Sequence, residues 1–302
     1  MSQCPTLSIV IPTRNCLAWL PQALGSITAP PGEQLEILVV EDGSTDGTGA
    51  WLARQSIPGL RVLVGPAQGV AAARNLALQV ASAPLIAFLD ADDVWHPGKL
   101  ANQLRAHRQD PDLLFSFTDY HHVDETGIGH GTAFDYWPAF QHRRGQAEFE
   151  RLSDAAAAIL AAPAVGTSTV MARRDALQSA RGFAADLAIA EDWDLWLRLA
   201  SLGPVAVSGM VGTTYLMRRG STSRDPVLRQ QCLAWVVARH RRRVPAAAVR
   251  MATANLAEAR SDWAIGAGRR SAALIAAAEA WMLAPSWRRF KRAAALGLGG
   301  GQ

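Results

Sequence analysis

Four short stretches of this chain carry acids, arginine and small polar residues in patterns that can do chemistry. Asp90-Ala91-Asp92-Asp93 closes an apolar run. Carboxylates at Asp-x-Asp spacing on a strand end aim into one small volume, where their charges repel. A hard divalent cation relieves that repulsion, and Mg²⁺ or Mn²⁺ prefers carboxylate oxygen together with substrate phosphate. Asp92 or Asp93 could instead cap the helix that follows. Three acids in four residues exceed what a cap needs, so the metal reading is preferred. Glu41–Thr48 (EDGSTDGT) follows a second apolar run. There Asp42 can accept a hydrogen bond from a base N–H, while Ser44, Thr45 and Asp46 read as turn and cap chemistry. Arg74-Asn75 interrupts an apolar helical pattern. That Arg either sits on a solvated face or reaches a base, ribose or phosphate. Glu191-Asp192-Trp193-Asp194 opens another helix. Acids in a first turn suit the helix dipole, at about 0.3–1 kcal/mol each. A carboxylate there can also take a proton from an attacking hydroxyl. The seven histidines show no metal-ligand spacing.

The elements that must position these residues alternate over the first 118 positions. Apolar runs at 7–11, 35–40, 60–64, 85–89 and 113–117 predict strands. Helical spacing predicts helices at 17–27, 47–55, 70–81 and 97–108, with Pro97 in a first-turn position. Continuously apolar strands separated by helices predict an α/β fold, a parallel sheet covered on both faces. Such sheets bind ligands beyond the carboxyl ends of their strands. The polar clusters after these strands, including Pro12-Thr13-Arg14-Asn15, would then share one rim. Residues 119–150 show no clear period and predict a long loop or lid. Further on, a helix is expected at 153–162 with Ser153 as its cap, and a strand at 167–171. A helix is expected at 192–200, with short strands at 205–207 and 211–216. From Pro226 the chain reads as Ala/Arg-rich helices broken near Pro245, Gly266–Gly268 and Pro285.

At 302 residues and 49% hydrophobic the chain is no disordered polymer. Its three cysteines, Cys4, Cys16 and Cys232, exclude a disulfide scaffold and suit a reducing cytosol. No apolar run reaches the length of about 18 residues that spans a membrane, and residues 1–13 lack the charged lead of a signal peptide. Charge is unevenly spread. Residues 225–302 hold 13 Lys and Arg against 4 Asp and Glu, a net of +9, whereas residues 1–224 carry 17 against 22, a net of −5. A basic tail suits lipid headgroups, nucleic acid or plain solvation of a helix face. Trp281, Trp287 and Phe290 interleave with Arg288, Arg289, Lys291 and Arg292, the make-up of a helix lying on an anionic membrane surface.

Taken together and in order, the clusters resemble glycosyltransferase family 2, inverting enzymes with a GT-A fold. The stretches that carry the resemblance are Leu7–Asn15 (LSIVIPTRN), Leu35–Thr48 (LEILVVEDGSTDGT), Gly69–Ala77 (GVAAARNLA), Ile86–Leu100 (IAFLDADDVWHPGKL) and Glu191–Leu199 (EDWDLWLRL). The resemblance covers roughly residues 1–224. It implies a Rossmann-like, mostly parallel sheet with a nucleotide-sugar-binding half at 1–118 and an acceptor-binding half at 119–224. Residues 225–302 would be a basic helical extension. It also implies roles. Pro12, Thr13 and Arg14 would line the nucleotide pocket, Asp42 would bind the base, and Arg74 the nucleotide. Asp90 and Asp92 would hold the donor's ribose and a Mn²⁺ or Mg²⁺ on its diphosphate, with Asp93 assisting. Asp192 matches the catalytic base, with Glu191 beside it. The implied donor is a UDP-sugar and the implied acceptor a glycan or lipid-linked sugar, in the cytoplasm or on the inner face of its membrane. The family often carries an Arg directly after the tyrosine at Tyr215, where this chain has Leu216. Two other readings compete. A sugar-nucleotide nucleotidyltransferase needs a Gly-rich, basic loop after its first strand, and Pro12–Asn15 is not one. A non-catalytic module that binds nucleic acid through the tail leaves the acidic rim unexplained, so no nucleic-acid partner is expected.

Overall fold

The computed structural model describes residues 5–218 and 225–298. The chain divides into two compact units, residues 1–155 with 164–221, and residues 156–163 with 222–302. Cys4 lies outside the described residues; Cys16 and Cys232 are free thiols, both buried.

The first unit is built on one sheet. Its strands are β1 (Leu7–Thr13), β2 (Leu35–Glu41), β3 (Leu60–Val64), β4 (Leu85–Phe88), β5 (Val94–Trp95), β6 (Phe115–Asp124), β7 (Gly129–Thr132), β8 (Glu150–Arg151), β9 (Met171–Arg173) and β10 (Val205–Met217). The spatial order is β3-β2-β1-β4-β9-β6-β10-β5, with β7 on β6 and β8 on β10. β1, β2, β3 and β4 run parallel, as do β6 and β10. β9 lies antiparallel between β4 and β6. All seven residues of β1 are buried. Successive side chains point to opposite faces, so both faces of the sheet are covered. On one face Leu7, Ile9 and Ile11 join Leu20, Leu24, Trp95, Leu100 and Leu104. On the other, Phe88, Phe115, Phe183 and Trp196 pack with ring centroids 5.4 to 5.9 Å apart. The helices of this unit are α1 (Leu20–Gly25), α2 (Thr48–Leu52), α3 (Val70–Val80), α4 (Lys99–Gln109) and α5 (Ala133–Tyr136). After α6 (Ala155–Ala161), most of which belongs to the second unit, come α7 (Arg174–Ser179) and α8 (Glu191–Ala200).

Several expectations need correction. Residues 119–150 are irregular only in part: 137–149 hold no more than a 3₁₀ turn, Gln141–Arg143, whereas 119–136 are regular. β6 continues to Asp124, turns into β7, and leads to α5, which is closed by a reciprocal Thr132–Asp135 cap. The outer half of β6 carries Tyr120, His121 and His122, polar side chains that erase the apolar signature of a strand. The two strands expected at 205–207 and 211–216 are one strand with irregular register between Ser208 and Thr213. The strand expected at 167–171 begins as a 3₁₀ turn, Thr167–Thr169, and only then becomes β9. α4 starts at Lys99 rather than Pro97, after Gly98 in the left-handed region, and α6 starts at Ala155, two residues beyond Ser153.

The second unit is helical, with α9 (Pro226–His240), α10 (Ala246–Gly266), α11 (Arg270–Leu283) and α12 (Trp287–Gly297) following α6. The breaks fall near Pro245, Gly266–Gly268 and Pro285, as the sequence leads one to expect. Asp225 caps α9 and Ser286 caps α12. Buried alanines, among them Ala252, Ala257, Ala273 and Ala280, line the packed pair α10 and α11, since small side chains let helices approach closely. The positive charge of α12 is less available than its composition suggests. Arg289 is buried and donates to Asn255 (2.8 Å), the Ala284 carbonyl (2.9 Å) and Glu258 (3.2 Å). Arg288 pairs with Glu258 at 2.8 Å, and Arg292 pairs with Asp262. The aromatics remain outside. Trp287 is 68% exposed and stacks on Phe290 at 5.3 Å, and Trp281 lies 5.6 Å from Phe290.

Candidate active site

The carboxyl ends of β1, β2 and β4 meet the amino end of antiparallel β9 on one rim. β1 leads into Arg14 and Asn15, and Asn15 adopts a left-handed conformation (φ 53°). Its amide donates to the Ser44 hydroxyl (3.0 Å), and its side-chain oxygen accepts from the Thr45 amide (2.8 Å). Leu17 N–H donates to Asp46 at 2.9 Å. The Asp42–Asp46 turn is therefore stitched to the end of β1. Pro12 and Thr13 are buried and Arg14 is exposed beside them. Asp42 is buried, and its two oxygens accept from the amides of Ala67 (2.7 Å) and Gly69 (2.9 Å). Its carboxylate thus shapes the loop after β3. Gly65 has to be glycine there, because a Cβ would stand 2.5 Å from Asp42 Oδ1.

Arg74 projects from the second turn of α3 and is buried. One guanidinium nitrogen lies 2.6 Å from Asp90 and another 2.7 Å from Glu191. Its face also lies 5.1 Å from the Phe183 ring centre. Burial works against this charge, but Asp90, Glu191 and Asp192 hold its pKa up. The arginine is committed to two carboxylates of its own chain, which come from the segment just beyond β4 and from the start of α8. It therefore draws the Asp-x-Asp cluster and the acidic helix start together.

The three acids of the cluster differ. Asp90 is the more open, Asp92 is largely buried, and Asp93 is fully so. Burial and the neighbouring Asp90 push the Asp92 carboxyl up, while Arg218 pulls it down. Arg218 lies 2.5 Å from Asp92 and stacks over Trp19, 4.7 Å from the ring centre. Asp93 accepts from the Ser168 hydroxyl (2.5 Å) and the Leu216 amide (3.1 Å). Burial, then Asp92 and Asp90, raise its carboxyl well above the usual range. Both of its oxygens are engaged inward, so Asp93 stands behind the pair rather than beside it. Among the described residues no three His, Cys, Asp or Glu side chains form a metal cage. Asp90 and Asp92 nevertheless fit a divalent cation. They are two hard oxygen donors, each paired with an arginine (Arg74 and Arg218), and Mg²⁺ takes one or two carboxylates plus substrate phosphates.

α8 starts at a strained residue, Ala190 (φ 66°), a backbone state that costs about 1–2 kcal/mol without glycine. Glu191 is buried against Arg74, and burial with the adjacent Asp192 pushes its carboxyl up to about 7. Asp192 is half-buried, and its Oδ2 accepts from the Thr167 hydroxyl at 2.7 Å. Nearby, Tyr120, His122 and Tyr215 cluster with centroids 4.9 to 5.9 Å apart. Burial and the surrounding carboxylates, Asp192 and Asp93 among them, raise both tyrosine hydroxyls. The rim thus presents two carboxylates suited to a cation, a separate carboxylate held by a hydroxyl, and an aromatic cluster.

The sequence profile of Glycosyl transferase family 2 matches residues 8–161. The chain belongs to that family. Among curated relatives, the UDP-Glc:alpha-D-GlcNAc-diphosphoundecaprenol beta-1,3-glucosyltransferase WfaP of Escherichia coli is 28% identical over 221 residues, covering 72% of this chain and 79% of that one. Other family members are far longer. The chain spans 20% of the length of an uncharacterized glycosyltransferase of Rickettsia conorii, to which it is 34% identical over 122 residues. In fold the chain is similar to Staphylococcus aureus TarS 1-349 in complex with UDP-GlcNAc, with TM-score 0.66, 15% identity, and 97% and 92% of the two chains covered. It is also similar to the mannosyltransferase PcManGT of Pyrobaculum calidifontis in complex with GDP-Man and Mn²⁺, with TM-score 0.63, 22% identity, and 99% and 80% covered. The GT-A architecture with added C-terminal helices is therefore shared.

Sequence reasoning missed Arg218, Thr167, Ser168 and the aromatic cluster. Leu216 stands where the family often carries an arginine, and Arg218 comes two residues later. The hydroxyl run Gly166-Thr167-Ser168-Thr169 is the sequence signal for the turn, although its β-branched residues also suit a strand.

Proposed function

We propose that this family 2 glycosyltransferase moves a sugar from a UDP-sugar to an acceptor hydroxyl with inversion, in the synthesis of envelope polysaccharide or glycolipid. The observation that carries the reading is Arg74 bridging Asp90 and Glu191, which brings donor-side acids and a base-bearing helix to one rim. The nucleotide lies over Pro12, Thr13 and Arg14, its base end shaped by Asp42 and the loop after β3. Asp90 and Asp92 would hold a Mn²⁺ or Mg²⁺ that takes part in binding the donor. When bound, the cation offsets the negative charge that grows on the leaving oxygen. Asp93 keeps the cluster in place. Asp192, half-open and oriented by Thr167, accepts the proton of the acceptor hydroxyl. Glu191 is buried and tied to Arg74, so it positions rather than reacts. Attack opposite the leaving diphosphate inverts the anomeric carbon through an oxocarbenium-like transition state.

Support for a sugar acceptor comes from the Tyr120–His122–Tyr215 cluster beside Asp192 and from the lipid-linked GlcNAc in the name of WfaP. Among the described residues no helix is long and apolar enough to cross a membrane. We assign membrane contact to the Trp281–Trp287–Phe290 face, at the cytoplasmic surface. With three arginines of α12 paired internally, apolar insertion contributes more to this contact than charge does. The test is a panel of nucleotide sugars with and without Mn²⁺, scored for binding and for release of the nucleoside diphosphate. Cation-dependent consumption of a UDP-sugar supports the reading. Consumption of a nucleoside triphosphate with pyrophosphate release overturns it in favour of a nucleotidyltransferase.

A further inference from the structure

The turn before β9 touches both chemical halves of the site through adjacent hydroxyls. Thr167 Oγ1 donates to Asp192 Oδ2 at 2.7 Å, and the Trp193 amide donates to Asp192 Oδ1 at 2.7 Å. These two donors fix the plane of the carboxylate. One residue on, Ser168 Oγ donates to Asp93 Oδ2 at 2.5 Å and accepts from the Asp90 amide at 3.0 Å. The turn itself is anchored on several sides. The Ser168 carbonyl accepts from the Trp95 indole (2.7 Å) and from the Thr213 hydroxyl (3.2 Å). The Thr169 carbonyl accepts from the Gln103 amide at 3.0 Å, and the Thr169 hydroxyl donates to the Gly166 carbonyl at 2.7 Å. Gly166 lies against Tyr120, where a Cβ would stand 3.0 Å from the ring. Thr167 and Ser168 are both buried, so each hydroxyl relies chiefly on its protein partner.

The geometry points to Thr167 as a positioning residue for the base. The 166–169 turn acts as a rigid link that sets Asp192 at a fixed separation from the Asp90–Asp93 cluster. Fold packing alone does not require this arrangement. A valine would fill the same volume at 167, and Glu191 already ties α8 to Arg74. The hydroxyl adds the orientation of one carboxylate. Misplacement of a reacting group by about 1 Å costs on the order of 10²-fold in rate. The donor lies on the other side of the link and should not sense the loss.

This inference rests on the proposed role of Asp192, and the test separates the two. Thr167→Val, Thr167→Ser and wild type are compared for UDP affinity in Mn²⁺, for donor KM and kcat, and by crystal structures of their UDP complexes. The expected result for Thr167→Val is unchanged UDP affinity and donor KM, a kcat lower by about 10- to 100-fold, and an Asp192 carboxylate turned from its wild-type position. Thr167→Ser restores both the rate and the carboxylate position. Wild-type kcat in Thr167→Val, or a parallel loss of UDP affinity, overturns the inference. So does an Asp192 carboxylate that stays in place. A wild-type protein that consumes no nucleotide sugar removes the proposed function, while the carboxylate position in the two variants still decides the role of Thr167.

Discussion

Replacing Arg74 with methionine leaves one buried carboxylate, Glu191, and one half-buried carboxylate, Asp90, facing a gap. At separations of 2.6 and 2.7 Å, each contact is worth roughly 6 kcal/mol of gross Coulomb attraction at an effective dielectric of about 20. Much of that offsets the desolvation of the guanidinium and its partners, and removing one member of a buried ionic set typically costs 3–5 kcal/mol net. Arg74→Met is therefore expected to lose about 3–5 kcal/mol at pH 8. The loss should depend on pH in a definite direction. Glu191, pushed up to about 7 by burial and Asp192, is raised above its ordinary value, so the folded state holds its proton more tightly than the unfolded chain. Stability from such a group is present at low pH and fades as pH rises through the folded value. Without Arg74 the ionised form loses its counter-charge, and protonation becomes the cheaper state. The deficit of the variant should shrink on going from pH 8 to pH 5.5. Urea unfolding followed by tryptophan fluorescence at the two pH values measures both quantities. A loss under 1 kcal/mol at pH 8, or one of equal size at pH 5.5, would refute the account of Arg74 as the charge that joins the two halves of the rim.

Asp92→Asn should abolish Mn²⁺-dependent UDP binding while the unfolding midpoint stays near wild type, because Arg218 is partly solvated; calorimetric titration with and without EDTA checks this. Asp192→Asn should keep UDP affinity and lower turnover by about 10²–10⁴, whereas a collapse of affinity with normal turnover would make Asp192 a binding residue. Lys99 is fully buried against Trp95 and Gln103, and burial drives its ammonium well below the usual range. The unfolded chain therefore binds the extra proton, and wild-type stability climbs with pH between that depressed value and about 10.4. Lys99→Met should flatten the climb and gain stability at pH 7, as read from melting temperatures across pH. Trp287→Ser with Phe290→Ser should weaken co-sedimentation with anionic vesicles more than Arg288→Gln does. Equal losses would return the contact to charge.

The polar rim was legible because parallel buried strands read as apolar runs, and whatever polar residues follow them must lie at one edge. That logic located Pro12, Asp42 and Asp90 from local pattern alone. It could not pair Arg74 with Glu191, 117 positions away, or Ser168 with Asp93, 75 positions away, since no local period encodes such contacts. β6 was hidden beyond Thr118 because its outer half trades apolar for aromatic and histidine side chains. In the tail, proline and glycine marked every helix break, but net charge gives no count of the arginines that face acids on a neighbouring helix.

Arg74 also bears on how this fold can be cut. Its helix and one partner lie before residue 100, but Glu191 arrives from α8, and β9 must slot between β4 and β6 before the sheet is continuous. A fragment ending near residue 118 would keep the polar strand-end motifs yet expose the edge of β4 and leave a buried guanidinium half neutralised. Such a piece should be insoluble rather than a free nucleotide-binding module. During synthesis, too, the motif-rich first third has to wait for sequence emerging about a hundred residues later, so the polar rim is among the last parts of the unit to be completed.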